Sequence, residues 1–272
     1  VLNKKLIKRD LNYPLWKRTI SFLCESNQER LTKVEQGTKG IVFQAIKYKD
    51  NQIIARIYTE KFGLKAFIIR VGKTNKSVIL PVLQPFNVVD IEARMKENSS
   101  IQQVKSVRLA TPFTEIPFDP IKSTIVLFLN EIVNKTIAED YHNDELFTFL
   151  EYALLTLDQT THPANFHLWF LFELTRQYGF YPAIEDETDT YFDLMQGQST
   201  GIRPGHPHYL EGQTFQAWKA LADKRWSEIE RLAFSGEERS VMLEHLVRYM
   251  QLHLDNTKEI RSLAVLKETF QK

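Results

Sequence analysis

A chain of 272 residues, 43% hydrophobic and 25% charged, is long enough for about two soluble folded domains, each burying its own core. Its single cysteine, Cys24, excludes an internal disulfide framework, a zinc ribbon and a CxxC redox pair, and fits a reducing, cytoplasmic compartment. The net charge of +1 hides an asymmetry: residues 1–34 hold eight basic side chains against three acidic, 35–114 thirteen against six, and 115–272 fourteen against twenty-five.

A basic front and an acidic back imply a front that meets a polyanion, or else a solvated surface whose charges cluster by chance. No apolar run approaches the roughly 18 residues of a membrane span. The N-terminus is basic, but Asp10, Asn12 and Pro14 interrupt any signal-peptide core.

Residues 1–34 carry a weak helical pattern and no obvious core. From Gly37 to Leu109 the chain reads as five short strands: Ile41 to Tyr48, Ile53 to Thr59, Leu64 to Val71, Val88 to Met95 and Ile101 to Leu109. The fourth alternates most clearly, with Val89, Ile91, Ala93 and Met95 on one face and Asp90, Glu92 and Arg94 on the other. Five strands in so short a span predict a small barrel of the OB-fold kind, with an SH3-like barrel as the alternative. The whole is then an α+β multidomain chain.

The stretch ATPFTEIPFDP, Ala110 to Pro120, marks the domain boundary, because its three prolines hold the backbone extended. This divides the chain into an extension (1–34), a barrel (35–114) and a helical domain (115–272). Beyond the boundary the period changes to 3.6. Asp119 caps a helix with Pro120 in its first turn, and Ile121, Ile125, Phe128, Leu129, Ile132 and Val133 form its apolar stripe. Leu146, Phe149, Leu150, Ala153, Leu154 and Leu157 repeat the pattern. NFHLWFLFELTRQYGF is apolar nearly all round and predicts a central buried helix ended by Gly179. Tyr181 to Gly212 reads as loop, followed by stripes at Trp226, Ile229 and Leu232 and at Met242, Leu246 and Tyr249.

Catalysis finds little support. Glu185, Asp186, Glu187, Asp189 and Asp193 form a contiguous acidic loop, whereas metal-dependent hydrolases draw ligands from several elements. The loop also lacks the glycine and terminal glutamate of a calcium site. His206 and His208, with His162 or His167, are the metal alternative, read here as a surface turn. GxxxxGK[ST], GxGxxG and GxSxG are all absent. What remains is binding: Lys39, Lys47, Lys49, Arg56, Lys65, Arg70, Lys73, Lys76, Lys105 and Arg108 lie on the barrel segment among Phe43, Tyr48, Tyr58, Phe62 and Phe67. Cations beside rings suit a single-stranded nucleic acid, although each ring is also a core candidate.

The run GTKGIVFQAIKYKDNQIIARIYTEKFGLKAFIIRVGKTNKS, then LQPF at Leu83 to Phe86, LFLNEIVNKTI at Leu127 to Ile137 and RSLAVLKETF at Arg261 to Phe270, resembles the bacterial RecO family of recombination and DNA-repair mediators, in its Bacteroidetes-like form. The resemblance runs from about Val34 onward, so residues 1–34 are either a lineage extension or the product of an early start. It implies an OB-fold followed by a helical domain and a non-enzymatic, cofactor-free role. That role is binding and annealing single-stranded DNA, joining RecR, engaging the single-strand-binding protein and helping RecA to load. The family's basic hairpin and following loop map onto Lys65, Arg70, Lys73 and Lys76. Two departures stand out: no cysteine zinc module in the helical half, and Leu64 and Ala66 where other members place arginines.

The tail of the single-strand-binding protein, acidic and ended by Phe, needs an apolar hole with a cation at its rim. The sequence suggests a groove between the helices holding Lys122, Lys135 and His167, Phe170, Leu174, Arg176, with Arg176 or His167 as the rim cation. Two other functions remain open from the residues alone: a metal-dependent nuclease using 185–193, and an adaptor whose barrel binds only protein.

Overall fold

The computed structural model describes residues 35–72, 75–96, 99–254 and 259–270. The extension read at 1–34 lies outside them. Strands β1 (Glu35–Lys49), β2 (Gln52–Thr59), β3 (Gly63–Arg70), β4 (Val88–Arg94) and β5 (Ile101–Thr111) close into a barrel in the order β1-β2-β3-β5-β4. It is an OB-fold, as the five alternating runs predict. Every pairing is antiparallel except β3 with β5. β1 begins earlier than its apolar run, because its first half pairs with β4 and its second with β2. Gly40 sits where the two pairings overlap; a Cβ there would lie 2.6 Å from Ile57 Cγ2, so no larger residue fits without displacing the barrel interior.

Between β3 and β4 lies α1 (Lys76–Val82), in a stretch read from sequence as loop. Seven residues with Pro81 in the last turn and β-branched Val78 and Ile79 carry too little helical period to show. After it, Phe86 takes φ +63° with its ring buried and its N–H on Val42 O at 2.6 Å, fixing the LQPF turn against β1.

The helical half consists of α2 (Pro120–Thr136), α3 (Asp144–Gln159), α4 (Phe166–Gln177), α5 (Gly212–Leu221), α6 (Trp226–Ile229), α7 (Gly236–His253) and α8 (Ser262–Phe270). Asp119 caps α2 as anticipated, accepting from Ile121 N at 2.7 Å and Lys122 N at 3.2 Å. Gly179 (φ +78°) ends α4 in a Schellman turn, with Gly179 N on Arg176 O and Phe180 N on Thr175 O, both 3.0 Å. The segment read as loop between Tyr181 and Gly212 contains a small sheet, β7-β6-β8, of Gln198–Thr200, Tyr191–Asp193 and Tyr209–Glu211. Strands of three residues are too short to show a period of 2. Phe192 anchors this sheet on Trp218 and Tyr249, ring centroids 5.2 and 6.0 Å away, and ordinary packing thus holds the segment.

Two cores fill the molecule. One lies inside the barrel around Ile57, Phe67, Val89 and Ile91. The other runs from the barrel's outer residues Phe43, Tyr58, Leu64 and Phe86 into the packed helices. The barrel is therefore fused to the helical half by apolar contact. Gly63 reinforces the join: it takes φ +65°, a Cβ on it would lie 2.2 Å from Tyr141 O, and the next residue, Leu64, exchanges backbone bonds with the same loop.

Candidate nucleic-acid interface

The antiparallel β1–β2 hairpin turns at Asp50 and Asn51, and β3 ends beside it, because Gln52 pairs with both Lys49 and Arg70. This register gathers cations at one pole of the barrel. Lys49 and Arg70 line a single concavity with Gly72, while Lys47 and Lys49 line an adjoining groove. Lys47 lies 3.5 Å from Asp50, both exposed; Lys49 stands 5.4 Å from the centre of the Tyr48 ring; Arg70 is exposed and has no side-chain partner among the described residues. The loop that follows β3 continues from here. Lys73 lies outside the described residues and the Lys76 side chain is not described, so the structure neither adds them to this pole nor removes them.

The other candidate cations are turned to different work. Arg56 pairs with Glu139 at 2.7 Å and also bonds Asn134; Lys65 pairs with Asp140; Lys39 pairs with Glu151 at 2.7 Å. Lys105 holds Glu35 at 2.7 Å, and Arg108 holds Asp90 at 3.2 Å. Of the candidate barrel cations, Lys47, Lys49 and Arg70 lie at one pole, with Lys47 beside the exposed Asp50, and Lys39, Arg56, Lys65, Lys105 and Arg108 pair with carboxylates elsewhere.

Most of the rings are core, the alternative the sequence left beside base stacking. Phe43 and Tyr58 are buried, stacked at 5.9 Å, and belong to the core that joins barrel to helices. Burial pushes the Tyr58 hydroxyl up to about 12 even though it donates to Asn143 O. Phe67 is buried inside the barrel and Phe62 is half-buried; Tyr48 is 55% exposed. Of the five, Tyr48 alone has an open face for a base.

The groove expected between the helices of Lys122 and Arg176 is closed. Lys122 is buried and donates to Asp158 O at 2.8 Å, so it is structural. His167, Phe170 and Leu174 are buried. His167 stacks on Phe270 at 5.0 Å, and burial, with Arg239 nearby, lowers its pKa to about 3, so it is neutral and cannot act as a rim cation. Arg176 is half exposed, but it bonds Glu173 and Asp223 and lies 3.6 Å from the Tyr181 ring centre. The helix is apolar nearly all round, and it carries His167 and Thr175 inside the core while Arg176 stays at the surface, a division the sequence pattern alone left open.

The acidic loop is held by its own bonds. Asp186 accepts from Thr188 N at 2.8 Å, Asp189 bonds Ser199 Oγ, and Asp193 accepts from Met195 N and Gln196 N. Among the described residues no three His, Cys, Asp or Glu side chains converge as metal ligands, and no helix is long and apolar enough to cross a membrane.

Comparison with known proteins supplies the wider context. The family model described as "Recombination protein O N terminal" matches residues 34–113, and "Recombination protein O C terminal" matches 117–263. The chain is 37% identical over 236 residues to a protein of Flavobacterium psychrophilum named DNA repair protein RecO, covering 86% of this chain and 98% of that one. It is 35% identical over 239 residues to the Bacteroides fragilis protein of the same name, covering 86% and 99%. At 24% identity over 241 residues the Porphyromonas gingivalis protein is more distant, yet the coverage is 86% and 98%.

Proposed function

The chain belongs to the RecO family of DNA repair proteins, and on that premise we propose that it binds single-stranded DNA at the barrel pole formed by Lys47, Lys49 and Arg70. Lys73 and Lys76, which follow Arg70 in the sequence, are included in the proposed contact set on sequence alone. The protein anneals complementary strands there and, together with RecR, helps RecA load onto DNA coated by single-strand-binding protein. It makes or breaks no covalent bond. The helical half is the part assigned to protein partners, because its excess of carboxylates repels a phosphate backbone. Arg176, exposed on the helical half, is the side chain assigned here to meet the tail peptide.

The observation that carries this reading is the contrast among cations: Lys49 and Arg70 face a concavity without an ion-pair partner among the described residues, whereas Lys39, Arg56, Lys65, Lys105 and Arg108 each face a carboxylate. The three pole cations together with Lys73 and Lys76 of the following sequence, at about 0.7 per neutralised phosphate of a single strand, give a slope of log affinity on log salt of roughly −3.5. Fluorescence polarisation with labelled oligo-dT across a salt series tests it. The Lys49→Glu/Arg70→Glu protein should lose about 1.4 from the magnitude of that slope. A slope unchanged in the double mutant would move the site elsewhere. Binding that ignores salt in the parent would favour a protein-only adaptor.

A further inference from the structure

We propose that the groove between the β1–β2 hairpin, residues 80–85 and α2 is a nucleobase subsite, which takes one unstacked base of a single strand whose phosphates rest on Lys47, Lys49 and Arg70. The inference rests on the DNA-binding reading above. The groove has a volume of about 560 Å³, within the roughly 300–1,000 Å³ range of small-molecule sites. Ile46, Ile53, Leu80 and Leu83 give it apolar walls, which suit the two faces of a planar base.

Its polar feature is Asn130 of α2. This side chain is 9% exposed; its Nδ2 donates to Phe43 O at 2.9 Å, which leaves Oδ1 as a buried acceptor with no partner among the described residues. A buried acceptor without a donor is unfavourable, and a ligand N–H would relieve it once the side chains over it part, because the atom has essentially no accessible surface in the unliganded chain. Each DNA base carries such a donor on its pairing edge: the amine of adenine or cytosine, the ring N–H of guanine or thymine. The site therefore accepts any base and prefers a base to none.

Charge selects the occupant. Lys47 and Lys49 line the groove with Asp50, which lies 3.5 Å from Lys47, and Lys49 and Asp50 also line the adjoining concavity with Arg70, so cations outnumber the carboxylate along the mouth and a base inside is continuous with a phosphate track outside. Glu131 lies on the α2 wall, but its carboxylate is held by Lys135, Arg261 N and Ser262 N and does not confront the backbone. A polyanion fits this mouth better than an apolar peptide does.

The test uses the full chain, oligo-dT and two groove-filling variants at partly exposed positions, Ile46→Trp and Leu80→Trp, checked for fold by circular dichroism. Each should bind about tenfold more weakly while keeping the parent's salt slope, since the phosphate contacts remain. In the parent, an oligonucleotide with 4-thiothymine at each position in turn should cross-link to residues 43–53, 80–85 or 130–134. Parent-like affinity in both variants would assign the groove to a protein segment and overturn the proposal, as would cross-links confined to other surfaces. Failure of the DNA reading itself is separable: there the Lys49→Glu/Arg70→Glu protein keeps the parent's slope.

Discussion

Replacing Glu131 with Gln should release the C-terminal helix from α2. The carboxylate accepts from Lys135 Nζ at 2.8 Å, Arg261 N at 3.0 Å and Ser262 N at 2.8 Å, and it also bonds Ser262 Oγ. It thereby caps α8 from another helix, 131 positions away in sequence. Burial alone would raise its pKa, but the bonds from Lys135, Ser262 and Arg261 N outweigh that and bring it from 4.5 to about 2. The side chain is 19% exposed, so solvent screens it little. A shift of that size corresponds to roughly 3 kcal/mol. Because the folded-state value is depressed, this stability is fully present above about pH 4.5 and is lost as the pH falls towards about 2. Besides Glu131 the helix is held by Leu266, the one fully buried residue it contributes, and by the partly buried Leu263 and Phe270, the latter stacked on His167. Hydrogen exchange read by mass spectrometry at neutral pH should therefore show residues 262–270 exchanging up to about a hundredfold faster in the Gln variant, with the barrel strands unchanged. Equal protection of 262–270 in both proteins would refute the reasoning and place the anchor of α8 elsewhere.

Three other outcomes follow from buried contacts. Asp158 accepts from Thr114 N, Glu115 N and Ile116 N at 2.8–2.9 Å, so Asp158→Ala frees the strap between barrel and helices and should lower the stability measured in urea by about 3 kcal/mol. His167 is neutral when folded, with a pKa near 3 against the usual 6.5; His167→Phe should flatten the stability loss that the parent shows between pH 6.5 and 3, where the unfolded chain takes up a proton the folded one refuses. Gly63→Ala places a Cβ 2.2 Å from Tyr141 O at φ +65° and should lower the melting temperature by several degrees, or the join between barrel and helices is looser than its geometry.

Much of the barrel was legible because alternation survives wherever one face of a strand is buried. Val89, Ile91 and Ala93 point inward and Glu92 outward, as their spacing says. The cap at Asp119 and the turn at Gly179 were legible because their chemistry is local. What escaped was either too short or too distant. The helix at Lys76–Val82 and the three-residue strands at 191–211 lack the length to show a period. Phe43 and Tyr58, read as rings that a base could also use, are closed off by α2 and α3, whose residues lie some 85 positions further on. No window along the chain contains that information. The groove wall made by Asn130 is invisible for the same reason.

Charge was the least transferable of the sequence signals, and the structure explains why. The barrel segment is basic partly because it faces an acidic half: Lys39, Arg56 and Lys65 reach across to Glu151, Glu139 and Asp140. Counting cations therefore overstates the phosphates that the barrel would engage on the proposed reading, since among the described pole residues Lys49 and Arg70 have no carboxylate partner while Lys47 lies beside the exposed Asp50. Arg56 tests this directly. It shares a second concavity with Gln44 and Ile46, which also line the proposed base groove, so it stands beside the proposed DNA track but is paired with Glu139 at 2.7 Å. The Glu139 side chain is 58% exposed, and removing its charge should cost less than about 1 kcal/mol in stability. Glu139→Gln then presents Arg56 as an additional free cation. The salt slope for oligo-dT should steepen by about 0.7, one phosphate contact, with tighter binding at low salt. A slope identical to the parent's would mean that the strand leaves the pole without crossing β2, and that Arg56 serves only to tie the barrel to the helices.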